Sequence, residues 1–184
     1  MKLASIVLAA GSSTRFGSDK LLAEFCGRAL LSHALDAACA APVEQVILVC
    51  RSGTRLLVPS RVQRVEFDGQ AISASIKAGL AALGPVDGAF IFLGDMPGIP
   101  AYVPSMLRDV LADNFAAFPV HAAQQGHPVL FAKRAFPALR ALSEDTGASV
   151  LLRNRSDVVR LPCDDAGVLR DVDTPGDLED LKLA

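Results

Sequence analysis

The sequence predicts an α/β protein: a three-layer, doubly wound, mostly parallel sheet with helices on both faces. Three observations predict it. Apolar, β-rich runs of strand length recur along the 184 residues and carry few polar side chains, as strands covered on both faces do. Between them lie Ala/Leu-rich runs of helical length, so the chain reads strand, helix, strand. Hydrophobic residues make up 51% and charged residues 21%, which suits one packed core and opposes disorder. The length fits one domain over residues 1–184.

The elements follow in order. "ASIVLA" (4–9) is a buried strand and "RALLSHALDAACAA" (28–41) a helix. "QVILVC" (45–50) and "VQRVEF" (62–67) are the next two strands. "SASIKAGLAAL" (73–83) is a helix and "GAFIFL" (88–93) a strand with no polar side chain. "AYVPSMLRDVLADN" is helical, with Pro104 confined to its first turn. "FAAFPV" and "PVLFA" are two strands around "QQGH", which makes the sheet mixed there. "RAFPALRAL" and "TGASVLLRN" supply short helices, and "DVVRL" (157–161) a late strand. "DTPGDLEDLKL" closes the chain as a helix with Thr174 as N-cap, Pro175 at the first position and Asp177 as the capping-box acid.

Charge and cysteine usage exclude several classes. A formal net charge of −2 argues against general nucleic-acid or anionic-membrane binding, since either needs a basic surface. A phosphate ligand needs only local cations. Cys26, Cys39, Cys50 and Cys163 form no C-x-x-C pair, so buried free thiols in a reducing cytosol are expected. Only eight apolar or small residues separate Lys2 from Gly11, fewer than a signal peptide or a span of about 20 apolar residues requires. The expected location is cytoplasmic.

The stretch "LAAGSSTRFGSDKLL" (8–22) runs from a buried strand into small residues and two cations, Arg15 and Lys20. Small residues at Gly11, Ser12 and Ser13 let backbone N–H groups converge on an anion. An Arg forks across phosphate oxygens, and a Lys adds a mobile point charge. The spacing matches neither G-x-x-x-x-G-K-[ST] nor G-x-G-x-x-G. On composition alone, a polyphosphate cradle and an ordinary βα loop with solvated cations explain these residues equally well. For two carboxylates the residues by themselves favour a plain capping role over metal binding. Asp95 follows a buried strand in "IFLGDMP" and Asp173 precedes the last helix in "LRDVDTP". Each suits either a capping role or a share of Mg²⁺, which takes one or two carboxylates plus phosphate oxygens.

The opening stretch resembles the signature L-A-A-G-x-S-x-R-[FM]-G-x-x-K-L of the MobA-like nucleotidyltransferases. The similarity runs along nearly the whole chain: "SASIKAGL", "FLGDMPGIP", "GHPVLF" and "DVDTPGDLEDL" resemble the family's later motifs, in order. The resemblance implies a Rossmann-like nucleotidyltransferase fold. It implies nucleotide contacts from Leu8, Ala9, Ala10, Gly11, Ser12 and Ser13, catalytic roles for Arg15, Lys20 and Asp95, and Mg²⁺ held by Asp95 and Asp173, with Asp171 as the substitute for Asp173. Ser73, Ser75 and Lys77 open a helix, where free N–H groups and hydroxyls suit a base or ribose; N-capping by one serine with a solvated Lys77 is the alternative. His127, fixed between Gly126 and Pro128, is assigned a substrate contact, while His33 and His121 are assigned structural roles.

The implied reaction joins a nucleoside triphosphate to a phosphorylated acceptor and releases pyrophosphate. Ala10 points toward CTP, and molybdopterin is the implied acceptor, with a molybdoenzyme as a further partner. Two alternatives stand beside it: a sugar or polyol phosphate acceptor, and a non-catalytic nucleotide-binding maturation chaperone. The second is motivated by departures from the family pattern. Ala71 stands where the family has Gly, and Ser149 where it has Arg. Arg153 is four residues beyond Ser149, near enough on a helix to substitute.

Overall fold

Alternation along the first strand sets the layers. In β1 (Leu3–Ala9) every residue is buried. Leu3, Val7 and Ala9 join one apolar cluster, and Ala4, Ile6 and Leu8 join the other, the period-two consequence of a pleated strand. The structure, a computed structural model, describes residues 1–11, 16, 19–69, 71–143 and 146–182. Among them the remaining strands are β2 (Glu24–Phe25), β3 (Arg28–Ala29), β4 (Gln45–Cys50), β5 (Val62–Glu66), β6 (Gly88–Leu93), β7 (Ala116–His121), β8 (Gln124–Gln125), β9 (Val129–Ala132) and β10 (Val158–Pro162). The α-helices are α1 (Leu30–Ala40), α2 (Ile72–Ala81), α3 (Val103–Leu111), α4 (Phe136–Arg140) and α5 (Pro175–Lys182).

The main sheet runs β10-β7-β9-β6-β1-β4-β5, with β8 paired to β7. Strand β1 pairs in parallel with both β4 and β6, whereas β9 runs against β6 and β7. The mixed region expected around "QQGH" is therefore real. Leu31 and Leu35 of α1 pack with Leu107 and Leu111 of α3 on one face. Ile76 and Leu80 of α2 pack with Leu139 of α4 on the other. Sequence and structure agree on three layers.

Several local expectations change. Helix α1 starts at Leu30 rather than Arg28, because Arg28 and Ala29 pair with β2 in a hairpin. Its turn residues, Cys26 and Gly27, have φ of 48° and 76°, the double left-handed conformation of a two-residue hairpin turn. Glycine adopts this freely and cysteine does not. The protruding turn leaves Cys26 exposed; Cys50 and Cys163 are buried, and Cys39 is intermediate. The expectation of four buried thiols is corrected accordingly. "TGASVLLRN" forms a 3-10 turn (Ala148–Leu152), and Arg153 lies outside it with ψ of 139°. An i, i+4 substitution for Ser149 by Arg153 is thus not available. No helix among the described residues is long and apolar enough to cross a membrane.

The start of α5 follows its sequence closely. The Asp177 carboxylate accepts from Thr174 N at 2.7 Å and Asp173 N at 2.9 Å, and Thr174 Oγ1 accepts from Asp177 N at 3.3 Å. This reciprocal cap fixes the backbone that presents the Asp173 side chain. Thr174→Ala is expected to cost about 1 kcal/mol of folding stability, read as a lower urea midpoint at unchanged slope. An unchanged midpoint would show that Asp177 caps the helix unaided.

Candidate active site

In the order β5-β4-β1-β6 the winding reverses beside β1. Open α/β sheets bind ligands beyond the strand ends at such a point. A cleft of 180 Å³ opens there, lined by residues 8–11 at the end of β1, Lys20 and Ser75, with Asp95 just past β6. Gly94 N donates to Leu8 O at 2.9 Å, which carries the β1–β6 pairing one step further and brings Asp95 to the cleft.

Lys20 stands in a 3-10 turn (Lys20–Leu22) whose N-cap, Asp19, accepts from Leu21 N. Buried Leu21 anchors that turn, so the lysine stem is held at its base. Its ammonium donates to Asp95 Oδ2 at 2.9 Å, Asp173 Oδ1 at 3.0 Å and the Val172 carbonyl at 2.7 Å. The three side chains are 13%, 24% and 32% exposed, respectively for Lys20, Asp95 and Asp173. Burial pulls the Lys20 pKa down, but the hydrogen bonds and charges of Asp95 and then Asp173 outweigh it and raise it. The ammonium therefore keeps its proton at neutral pH. Asp171 stands close by. Partial desolvation, with the charges of Asp95 and Asp173, pushes its carboxyl up, against its own backbone N–H and Lys20.

This donor set fits a small divalent cation. Two carboxylates share one ammonium, a third carboxylate feels both, and the cleft adjoins them. Among the described residues no group of three His, Cys, Asp or Glu side chains forms a closed metal cage. One or two carboxylates completed by phosphate oxygens and water is how Mg²⁺ is commonly held.

The structure brings together Leu8, Ala9, Ala10, Gly11, Lys20, Ser75 and Asp95 in the cleft, with Asp173 attached through Lys20. Ser12, Ser13 and Arg15 lie outside the described residues. Ser73 is fully buried, one position from the helix start, and is not part of the cleft wall. Lys77 donates to the Leu142 carbonyl at 2.7 Å, and so joins α2 to the segment after α4 rather than lining the cleft. His127 lines a neighbouring 110 Å³ pocket that shares Leu8, Ile72 and Leu93 with the cleft and includes Ser149. Its Nδ1 is buried without a hydrogen-bond partner. Burial lowers its pKa against the Ile91 backbone and the charge of Asp95, so the ring is neutral at pH 7 and ill suited to carry charge. His33 and His121 instead sit 2.9 Å from the carbonyls of Phe25 and Cys163.

One positioning segment escaped sequence reasoning. Val172 N donates to Asp95 O at 3.0 Å, and His127 N donates to Val168 O at 2.8 Å. Gly167 packs against Gly98 so closely that a Cβ would strike the Gly98 carbonyl. Residues 165–172 thus tie the loop after β6, the start of β9 and Lys20 together. These are mostly backbone bonds to distant elements, and no residue pattern announces them.

Comparison with known proteins accords with this geometry. The profile of the MobA-like NTP transferase domain matches residues 5–159. The chain is 27% identical over 199 aligned positions to the purine catabolism protein PucB of Bacillus subtilis (strain 168), covering 99% of this chain and 97% of that protein. It is 32% identical over 121 positions to a probable molybdenum cofactor guanylyltransferase of Pyrococcus horikoshii, covering 59% and 57%. The crystal structure of Rv0371c from Mycobacterium tuberculosis H37Rv matches with a TM-score of 0.90 at 28% identity, over 100% of this chain and 99% of that one. A manganese complex of the same protein matches with a TM-score of 0.87 at 27% identity, over all of both chains. With the fold, the cleft and the profile match in agreement, the chain belongs to the MobA-like NTP transferase domain family and is a nucleotidyltransferase of that family.

Proposed function

We propose that the chain transfers CMP from CTP to the terminal phosphate of molybdopterin, releasing pyrophosphate. The observation that carries this reading is the convergence of Lys20, Asp95 and Asp173 at the cleft that ends β1. An acceptor phosphate oxygen attacks the α-phosphorus, the bond to the β-phosphate oxygen breaks, and pyrophosphate departs. Such a step needs little covalent help; it needs alignment and neutralised charge. Residues 8–11 border the nucleotide, Ser75 meets its base or ribose, and Lys20 and Arg15 take phosphate oxygens. Mg²⁺ held by Asp95 and Asp173 supplies charge neutralisation on the phosphates. The manganese complex of the mycobacterial relative supports a divalent ion.

The choice of CTP rests on Ala10. Ala10 lines the cleft, and a methyl near the base disfavours the larger purine. The molybdopterin acceptor is supported by the name of the Pyrococcus horikoshii relative. The neutral His127 imidazole and the apolar pocket around it suit an uncharged part of that acceptor. The setting is the cytoplasm, and a molybdoenzyme receives the product; neither nucleic acid nor membrane takes part.

The test is incubation with CTP, GTP or ATP, Mg²⁺ and molybdopterin, following pyrophosphate. Release with CTP is the expected result. Release with GTP alone would overturn the base assignment, and nucleotide binding without release would overturn the transferase reading of this site.

A further inference from the structure

We infer that Lys20 is a placeholder cation: without nucleotide its ammonium covers the face shared by Asp95 and Asp173 and keeps a divalent cation off that pair. The inference rests on the reading of these carboxylates as metal ligands. It concerns the order in which the site fills.

The ammonium is seated rather than passing. An ammonium has three hydrogens, and among the described residues three acceptors at 2.7 to 3.0 Å meet it. One acceptor is the carbonyl of fully buried Val172, whose own N–H is bonded to the Asp95 carbonyl. That backbone link fixes the cradle independently of the side chains. Asp173 is fixed from the other side, since its N–H is held by Asp177. The two carboxylates therefore present themselves to one point, and Lys20 occupies it.

A dication and an ammonium repel, and the ammonium already holds one oxygen of each carboxylate, Asp95 Oδ2 and Asp173 Oδ1. For the pair to take a metal without that repulsion, Lys20 must move off the two carboxylates, and another anion nearby keeps it satisfied. The cleft that Lys20 lines is where a triphosphate tail would lie, so nucleotide arrival supplies that anion. Binding of nucleotide and metal is then positively coupled, and the coupling is reciprocal. Part of that coupling is ordinary chelation by phosphate; the part due to Lys20 vanishes with its charge.

The test is a Mn²⁺ titration of nucleotide-free protein, with free Mn²⁺ read by electron paramagnetic resonance. Lys20→Met is expected to bind Mn²⁺ about tenfold tighter than the wild type or better, within the range that residues around a metal command. Lys20→Arg, which retains the charge, should resemble the wild type. In Lys20→Met/Asp95→Asn the gain should disappear, which assigns it to the carboxylate pair. Adding α,β-methylene-CTP should tighten Mn²⁺ binding by a larger factor in the wild type than in Lys20→Met. Lys20→Gln, whose amide still donates to a carboxylate, serves if circular dichroism shows the Met variant unfolded. A neutral variant that is folded yet binds Mn²⁺ no tighter than the wild type overturns the proposal. Because no acceptor or turnover enters the assay, a negative pyrophosphate experiment and a negative Mn²⁺ experiment are separate results.

Discussion

Asp95→Asn is expected to lower pyrophosphate release on the order of a thousandfold while the far-ultraviolet circular dichroism spectrum and urea midpoint stay close to those of the wild type. The substitution keeps size and shape and removes one charge. Asp95 has two separate jobs that this variant divides. Its backbone carbonyl accepts from Val172 N at 3.0 Å, and that bond survives. Its carboxylate accepts from Lys20 at 2.9 Å, and an amide oxygen there accepts more weakly and holds a cation poorly. Lys20 keeps the Asp173 carboxylate and the Val172 carbonyl as partners in this variant, so the expected loss of stability is small. Loss of turnover with retained stability assigns the side chain to chemistry. Parallel loss of both would make Asp95 part of the scaffold, and a variant that turns over normally would remove it from the site.

The second large effect is expected where no substrate touches. Gly167→Ala should cost about 1–3 kcal/mol, the usual range for overpacking, and should depress turnover as well. A Cβ on Gly167 collides with the Gly98 carbonyl, which is backbone and has little room to yield. The segment is pinned on both sides of the glycine: Gly167 N is held by Asp165 Oδ1 at 2.8 Å, and Val168 O by His127 N at 2.8 Å. Displacing it pulls Val172 and Asp173 away from Lys20 and Asp95. Gly98→Ala is the internal control. Its Cβ would meet Gly167 no nearer than 3.6 Å, an ordinary contact, so roughly 0.5 kcal/mol or less is expected. Urea unfolding and the pyrophosphate assay read both variants. Equal effects of the two substitutions would refute the packing argument.

The regular elements were legible because they are written locally. "GAFIFL" reads as a buried strand and is β6 residue for residue. "DTPGD" reads as a capped helix start, and its three capping bonds are present. In both cases neighbours within a few positions supply the determining physics: the period of the backbone or the reach of a short side chain. The hairpin around Cys26 was missed because β2 and β3 have two residues each, too few to show a period. Lys77 was misplaced for another reason. Helix α2 was recognised, but its partner carbonyl belongs to Leu142, 65 residues away.

By itself, then, the amino-acid order determined the layers, the caps and the kinds of side chain that gather at the end of β1. Folding alone decided that Lys20 meets Asp95 across 75 positions and Asp173 across 153, that Asp173 rather than Asp171 bonds that ammonium, and that residues 165–172 fasten these parts together. The physical reason is one of range. Propensity and periodicity act over a few residues, whereas a charge pair or a backbone bond between remote loops exists only after the sheet has brought them within about 3 Å.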